Sequence, residues 1–188
     1  VHNQRNQSIL SVASAFKNQL LEMYHQLNHT KAFNLSTQSI GERALKNKCL
    51  SYLSKLGELD IAYQQFINAD CMTDQFGAFQ CLLDSKNQYR AKAITQFYDQ
   101  HQSDVQVVDK WFSAQCLASV TSVEDIRGLM KHKLFSMTNP NRIRSLIGSF
   151  SQNSMQFHCQ EGYQLLTEII IELDHLNPQI AARFAGIY

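Results

Sequence analysis

The chain has 188 residues, of which 44% are hydrophobic and 18% are charged. That length fits one domain with a substantial core, and the composition is typical of a folded chain. The formal net charge is +1, with basic and acidic residues interspersed. This balance offers no basic surface for nucleic acid or for an anionic membrane, so neither partner is expected. No apolar run approaches the roughly 18 residues that span a bilayer.

Cysteine usage and the first residues both favour a cytoplasmic protein. The five cysteines are widely spaced and include no C-x-x-C pair, so neither a disulfide framework nor structural zinc is expected. We predict that most of them are small buried hydrophobic residues. The polar start, VHNQRNQS, does not form a signal peptide, and we expect it to be the cut end of a longer chain. The cysteines are Cys49, Cys71, Cys81, Cys116 and Cys159.

Helical periodicity recurs along the chain, and no clear alternation of apolar and polar residues indicates a strand. Both prolines follow an asparagine, a pair typical of a helix start. Gly57 is expected to end the second helix, and capping boxes are predicted at Ser39 with Glu42 and at Thr121 with Glu124. The second predicted helix begins between residues 36 and 39 and ends at about residue 55. The other predicted helices cover residues 9–27, 59–68, 73–83, 88–100, 105–118, 122–131, 140–150, 162–173 and 178–184.

The number and length of these helices indicate the fold class. Roughly eight to ten helices joined by short polar turns favour stacked helical hairpins. We therefore predict an all-α fold, an α-solenoid of HEAT or armadillo character that forms a single domain over residues 1–188. No exact repeat period is visible, so a compact irregular helical bundle stays open as the alternative.

His25 and His29 are four residues apart and would face the same way on a helix. Zinc peptidases use this spacing with a glutamate between two metal-binding histidines, and the glutamate acts as general base. Gln26 stands in that place here and cannot accept a proton, and no third ligand is evident. We therefore predict no metal site. A nucleophile elbow and a glycine-rich phosphate loop are also absent, so no catalytic residue is assigned.

The single tryptophan, Trp111, lies in the sequence DKWF at residues 109–112. We predict that it is a core aromatic residue anchored between adjacent helices. A tryptophan that faces a substrate is the less favoured interpretation.

The segment IRGLMKHKLFSMTNPNRIRSLIGSF, residues 126–150, is the most informative stretch. Asn139 and Pro140 predict a helix start, and an apolar stripe follows at helical spacing. Arg142 and Arg144 lie in the first turn, where a cation opposes the helix dipole. This position favours a role in contacts with a peptide or a neighbouring domain, and solvated or ion-paired arginine is the alternative. The stripe is Ile143, Leu146, Ile147 and Phe150.

Several segments resemble, in the same order, the last domain of the bacterial aminopeptidase N family, the zinc exopeptidases of the gluzincin group. The similarity covers nearly the whole chain and is most specific between residues 109 and 150. The segments are RALKN with CL (residues 43–50), MTD (72–74), DKWF (109–112), RGL through the phenylalanine at 150, GYQ (162–164) and NPQ with arginine (177–183).

In that family the domain is an all-helical superhelix that closes over the catalytic domain and governs how peptides reach a zinc site held elsewhere. The resemblance implies that Arg144 and Arg183 lie on the enclosed chamber or its entrance, with residues 137–141 on the loop facing it. It implies partners, namely the other domains of the same chain and passing peptides. The family's N-terminal, catalytic and β-sandwich domains are missing from this sequence. The chain itself is therefore expected to lack hydrolytic activity and to hold no cofactor, the zinc belonging to the parent enzyme.

The sequence thus predicts a non-catalytic α-solenoid segment of a cytoplasmic zinc aminopeptidase that releases N-terminal amino acids from peptides. The alternative is a stand-alone helical-repeat scaffold that binds a protein or peptide in its groove, and an enzyme in its own right comes third. The candidate residues for peptide or interdomain contacts are Met137, Asn139, Asn141, Arg142, Arg144 and Arg183.

Overall fold

The computed structural model describes residues 2–28 and 33–188, and within these residues all regular structure is helical. The prediction of an all-α fold is confirmed. The helices are α1 (His2–Ala15), α2 (Lys17–Leu27), α3 (Thr37–Lys55), α4 (Leu59–Asn68), α5 (Met72–Leu83), α6 (Arg90–His101), α7 (Val105–Leu117), α8 (Val123–Met130), α9 (Pro140–Ile143), α10 (Ser149–Ser151), α11 (Gln160–Leu176) and α12 (Pro178–Ala185), with a π-helical turn at Arg144–Gly148 between α9 and α10.

The prediction of one continuous helix over residues 9–27 is wrong, because the structure has two helices that meet at Phe16. The φ and ψ angles of Phe16 are −112° and 19°, outside the helical range. The hydrogen bonds from its N–H to the Val12 carbonyl (3.1 Å) and from the Leu20 N–H to its own carbonyl (2.9 Å) persist. The interruption is therefore local, and it has no glycine or proline that would have marked it in the sequence.

Most helix caps follow the predicted chemistry, with two shifts in register. Ser36 caps α3 by accepting the Ser39 N–H at 3.2 Å, so the predicted box at Ser39 is wrong. Ser122 and Asp125 form the capping box of α8 in place of Thr121 and Glu124. Thr121 is buried instead, where its hydroxyl donates to the Gln115 carbonyl. The end of α3 is as predicted, because Gly57 adopts a φ of 90° just after it.

The chain divides into two compact units, Val1–Thr95 and Gln96–Tyr188, with the boundary inside α6. In the first unit, α2 packs against α3, α4 against α5, and α3 against α5. In the second unit, α7 packs against the π turn and α10, and α11 packs against α12. The prediction of a single domain over the whole chain stays a prediction.

A buried polar network joins three helices of the first unit. The Lys46 ammonium donates to one oxygen of the Asp74 carboxylate (2.5 Å), and the Asn47 amide donates to the other (2.7 Å). The Gln65 amide donates to the side-chain oxygen of Asn47 and to the Asp74 carbonyl (2.7 and 2.9 Å). Lys46 and Asp74 are only 8% and 3% exposed. Because every partner must be in place, the network fixes the register of α3, α4 and α5.

In the second unit, polar side chains bind the backbone at the end of α7. The Asn153 amide donates to the carbonyls of Cys116 and Ala118, both at 2.9 Å. Gln156 donates to the carbonyl of Ser119 at 2.6 Å. The last carbonyls of a helix have no partner within the helix, and Asn153, from the segment that follows α10, supplies a donor to them. Gln156 holds the turn that follows the helix.

The cysteines are all free, but only two of them are buried as predicted. Cys49 and Cys116 lie in the core, whereas Cys71, Cys81 and Cys159 are partly exposed. The Cys159 thiol caps α11 by accepting the Gly162 N–H at 3.4 Å. The expectation of buried apolar cysteines is therefore wrong for Cys71, Cys81 and Cys159.

Across residues 2–28 and 33–188, no helix combines the length and the apolar character needed to cross a membrane. The cytoplasmic location stays a prediction.

The Asp74 network gives a first testable prediction. Replacing Asp74 by Asn leaves the buried Lys46 cation without its counter-charge, so we expect the free energy of unfolding to fall by about 3–5 kcal/mol. Urea unfolding followed by circular dichroism measures it. The control Asp84→Asn breaks the partly exposed ion pair with Lys55 and should cost no more than about 1 kcal/mol. Equal losses in the two variants would show that the network does not hold the helices together.

Two glycines should respond to the same substitution with opposite signs. A Cβ on Gly162 would lie 2.1 Å from the Phe157 carbonyl oxygen, so Gly162→Ala must displace the start of α11. We expect a loss of about 1–3 kcal/mol, as overpacking costs elsewhere. Gly128 lies inside α8, and a Cβ added there would meet no other atom within 4 Å outside its own stretch of helix. We therefore expect Gly128→Ala to raise the free energy of unfolding by about 0.5–1 kcal/mol through helix propensity. Thermal unfolding of both variants beside the unchanged chain tests the contrast.

Candidate functional site

The segment that carries most candidate residues begins with the cap of α9. The Asn139 side-chain oxygen accepts the N–H groups of Asn141 (3.0 Å) and Arg142 (3.4 Å), and Pro140 occupies the first helical position. The predicted helix start is confirmed. Asn139 is therefore occupied in holding its own backbone, whereas Asn141 is exposed.

Arg142 is turned into the protein, contrary to the outward role that its helix position suggested. It is only 5% exposed, and its guanidinium forms an ion pair with Asp109 of α7. The same side chain donates to the carbonyls of Leu134 (3.0 Å) and Val105 (3.1 Å) and lies over the Phe112 ring, 5.9 Å from its centroid. The Asp109 carboxylate neutralises a cation that the positive end of the helix dipole disfavours. The alternative of an ion-paired arginine therefore holds for Arg142.

The predicted helix 140–150 is interrupted by the π turn Arg144–Gly148. The Ser113 hydroxyl of α7 donates to the Ser145 carbonyl in this turn at 3.0 Å, which holds the wider backbone against α7. The apolar stripe is nevertheless buried as predicted, with no member more than 2% exposed. π turns inside helices occur frequently at functional sites. The stripe consists of Ile143, Leu146, Ile147 and Phe150.

Arg144, two residues after Arg142, is exposed. Its guanidinium makes one long contact, 3.4 Å to the side-chain oxygen of Asn141. Arg183 is also exposed, in the last turn of α12. Within residues 2–28 and 33–188, neither arginine forms an ion pair. Both guanidinium groups therefore keep donors available for a carboxylate or a carbonyl oxygen.

The structure brings α12 to the π turn through Gly148. The position of a Cβ on Gly148 lies 3.8 Å from the Phe184 ring and 3.9 Å from the Arg144 Cβ. Phe184 is the neighbour of Arg183 in α12 and is buried. The elements that carry the two exposed arginines thus approach each other at Gly148, although their sequence positions are far apart.

Met137 lies in the loop of residues 131–139 that leads into α9. The loop is held by local bonds, including one between the hydroxyls of Ser136 and Thr138 at 2.8 Å. Met137 is half-buried. The roles of Met137, Asn139, Asn141, Arg144 and Arg183 in peptide or interdomain contacts stay predictions.

Sequence reasoning missed Asp109, the residue on which the position of Arg142 depends. The carboxylate lies in DKWF, a segment noted only for its tryptophan and its family resemblance. No local pattern pairs it with an arginine 33 residues later in the chain. The prediction for Trp111 is confirmed: it is 5% exposed and packs edge-on against Phe112, with ring centroids 4.9 Å apart.

The structure gives little support to a metal site. His25 is exposed, and His29 lies outside the described residues. Asp70, Cys71 and Asp74 do have ligand atoms within 4.8 Å of one another. Both oxygens of Asp74, however, already accept hydrogen bonds from the network described above. The absence of a resident metal stays a prediction.

Comparison with known proteins finds that the chain is similar to part of several aminopeptidases. It is 34% identical over 181 residues to aminopeptidase N of Escherichia coli (strain K12), which covers 92% of this chain and 21% of that protein. It is 34% identical over 178 residues to aminopeptidase N of Haemophilus influenzae, covering 92% and 20%. The crystal structure of Legionella pneumophila aminopeptidase A in complex with aspartic acid matches with a TM-score of 0.89 at 27% identity, over 99% of this chain and 24% of that one.

The chain therefore spans about a fifth of the length of the curated relatives it matches, and it is homologous to their C-terminal part. A family described as "Domain of unknown function (DUF3458_C) ARM repeats" matches residues 1–187. ARM repeats are stacked helical units, which confirms the predicted α-solenoid class. The resemblance noted in the sequence is thereby confirmed, and the chain belongs to the DUF3458_C family of ARM-repeat domains.

Proposed function

We propose that this chain is the non-catalytic C-terminal domain of a zinc-dependent aminopeptidase, where it encloses the active-site chamber and controls the access of peptides. The parent enzyme would release N-terminal amino acids from peptides, with its zinc held by a separate catalytic domain. The partners would be the other domains of that enzyme and the peptides that enter it. Homology to the C-terminal part of two enzymes named aminopeptidase N supports this proposal.

The observation that carries the proposal is the contrast between the two neighbouring arginines. The Arg142 guanidinium is enclosed by two carbonyls, a carboxylate and an aromatic ring of its own unit. These contacts give Arg142 a structural role. Arg144 is exposed, and within residues 2–28 and 33–188 its guanidinium has one long hydrogen bond, to Asn141, and no ion pair. An exposed guanidinium is suited to the carboxylate or the carbonyl groups of a peptide.

The coding region on either side of this chain gives a direct test. An upstream H-E-x-x-H sequence followed by a third zinc ligand would support the proposal, since that motif supplies both the metal site and the general base. A complete gene without any peptidase domain would contradict it. The chain would then be a free-standing scaffold that binds a protein or peptide.

The arginine contrast gives a mutational prediction. Arg144→Ala should change the free energy of unfolding of this chain by no more than about 0.5 kcal/mol, because the side chain is exposed and unpaired. Arg142→Ala should cost about 3–5 kcal/mol, because it leaves the Asp109 carboxylate partly buried without its partner. Chemical denaturation of the two variants measures both effects.

In the full-length enzyme, Arg144→Ala should alter KM or the preference for peptide length while turnover continues. The matched control is Arg127→Ala, which removes an equal charge from a partly exposed arginine that pairs with Glu168 at 2.8 Å. The same logic applies, more weakly, to Arg183→Ala. Unchanged peptide kinetics in Arg144→Ala, together with a loss of several kcal/mol in this chain, would show that Arg144 has a structural role only.

A further inference from the structure

His132 lies at the start of the loop of residues 131–139, surrounded by aromatic rings of the second unit. The centroid of its ring is 5.0 Å from that of Tyr98 in α6. It is 5.1 Å from Trp111 and 5.6 Å from Phe112, both in α7. This histidine therefore joins the loop to the same aromatic core that supports Arg142.

Both backbone polar groups of Leu134 are hydrogen-bonded to side chains. Its N–H donates to Nδ1 of His132 at 3.2 Å, and its carbonyl accepts from Nε of Arg142 at 3.0 Å. The first bond requires an unprotonated Nδ1, so the imidazole is neutral with its proton on Nε2. Protonation of Nδ1 would place a donor against the Leu134 N–H and break the hydrogen bond between them.

The charges of Lys133 and Arg142 oppose protonation of His132. Lys133 is adjacent, with its ammonium 5.7 Å from the Tyr98 ring, and Arg142 lies over the Phe112 ring. The Asp109 carboxylate of α7 is paired with Arg142. Burial first, and then the Lys133 and Arg142 charges, lower the pKa of His132 below its usual 6.5. The unfolded chain therefore takes up this proton at a higher pH than the folded chain, and acidification below about 6.5 disfavours the native loop.

We propose that His132 is a pH-sensitive latch, which holds the loop of residues 131–139 in place when neutral and releases it when protonated. The release frees the Leu134 N–H, puts a third cation beside Lys133 and Arg142, and loosens the residues that lead to the Asn139 cap. Met137 lies in the released stretch. The latch is a property of this chain alone, whereas its consequence, altered peptide access at mildly acidic pH, rests on the proposed function.

Hydrogen exchange of this chain, at about pH 7.5 and about pH 5.5, tests the latch. After correction for the intrinsic exchange rate, protection of the Leu134 amide should fall at least about fivefold at the lower pH, the ratio that corresponds to one typical hydrogen bond. His132→Asn keeps an acceptor at the place of Nδ1 but cannot titrate, so its protection should not depend on pH. Pepsin peptides that cover residues 131–139 provide the readout.

His101→Asn is the matched control, because burial also lowers the pKa of His101, which packs on Phe97 in α6. The pH dependence in the loop should survive in this variant. The unchanged chain gives a second measurement, independent of how well the variants fold. In nuclear magnetic resonance titrations, the ring of His132 and the amide of Leu134 should share one midpoint below about 6.5.

Equal protection of the loop at both pH values in the unchanged chain would overturn the proposal. So would a pH dependence that persists in His132→Asn, or separate midpoints for the ring and the amide. None of these measurements involves a peptide or a catalytic domain. A failure of the latch is therefore distinct from a failure of the proposed function.

Discussion

The second unit depends on one buried guanidinium, that of Arg142. It links the start of α7, through Val105 and Asp109, to the loop of residues 131–139 and to the first turn of α9. Removing a cation from water is costly, and the cost is offset only because a carboxylate and two carbonyls accept its hydrogen bonds. The loop has little regular structure of its own, so its position relative to α7 is set by this side chain and by His132. The exposed Arg144 is in turn placed by the helix that Arg142 anchors.

The first unit also buries charged groups, but there the central group is a carboxylate, that of Asp74. Asp74 accepts from an ammonium and an amide and is held by a third residue through its own backbone. Gly77 belongs to the same arrangement, because a Cβ there would lie 2.8 Å from the Asn47 side-chain oxygen. In each unit a buried charge is thus surrounded by specific partners on neighbouring helices. Such contacts select one helix register among the several that apolar packing alone would permit.

Local chemistry accounts for what the sequence predicted well. Apolar spacing located most helices, and the Asn-Pro pairs located two helix starts, since both signals act within a few residues along the chain. The break at Phe16 and the π turn at Arg144–Gly148 left no such mark. The inward direction of Arg142 depends on Asp109, 33 positions earlier in the chain, which only the tertiary fold brings close. For the candidate site, the sequence indicated the segment and both of its arginines, but it did not separate the buried Arg142 from the exposed Arg144.

The π turn also accommodates one additional residue at this place. A π turn holds one residue more than the α-helical turn that it replaces. In a regular α-helix, an additional residue would rotate everything that follows by about 100°. The wider turn takes up that residue instead, so Phe150 stays in the core and Asn153 reaches the two carbonyls of α7. A homologous domain that lacks one residue here should therefore form a regular helix and bury the same side chains after it.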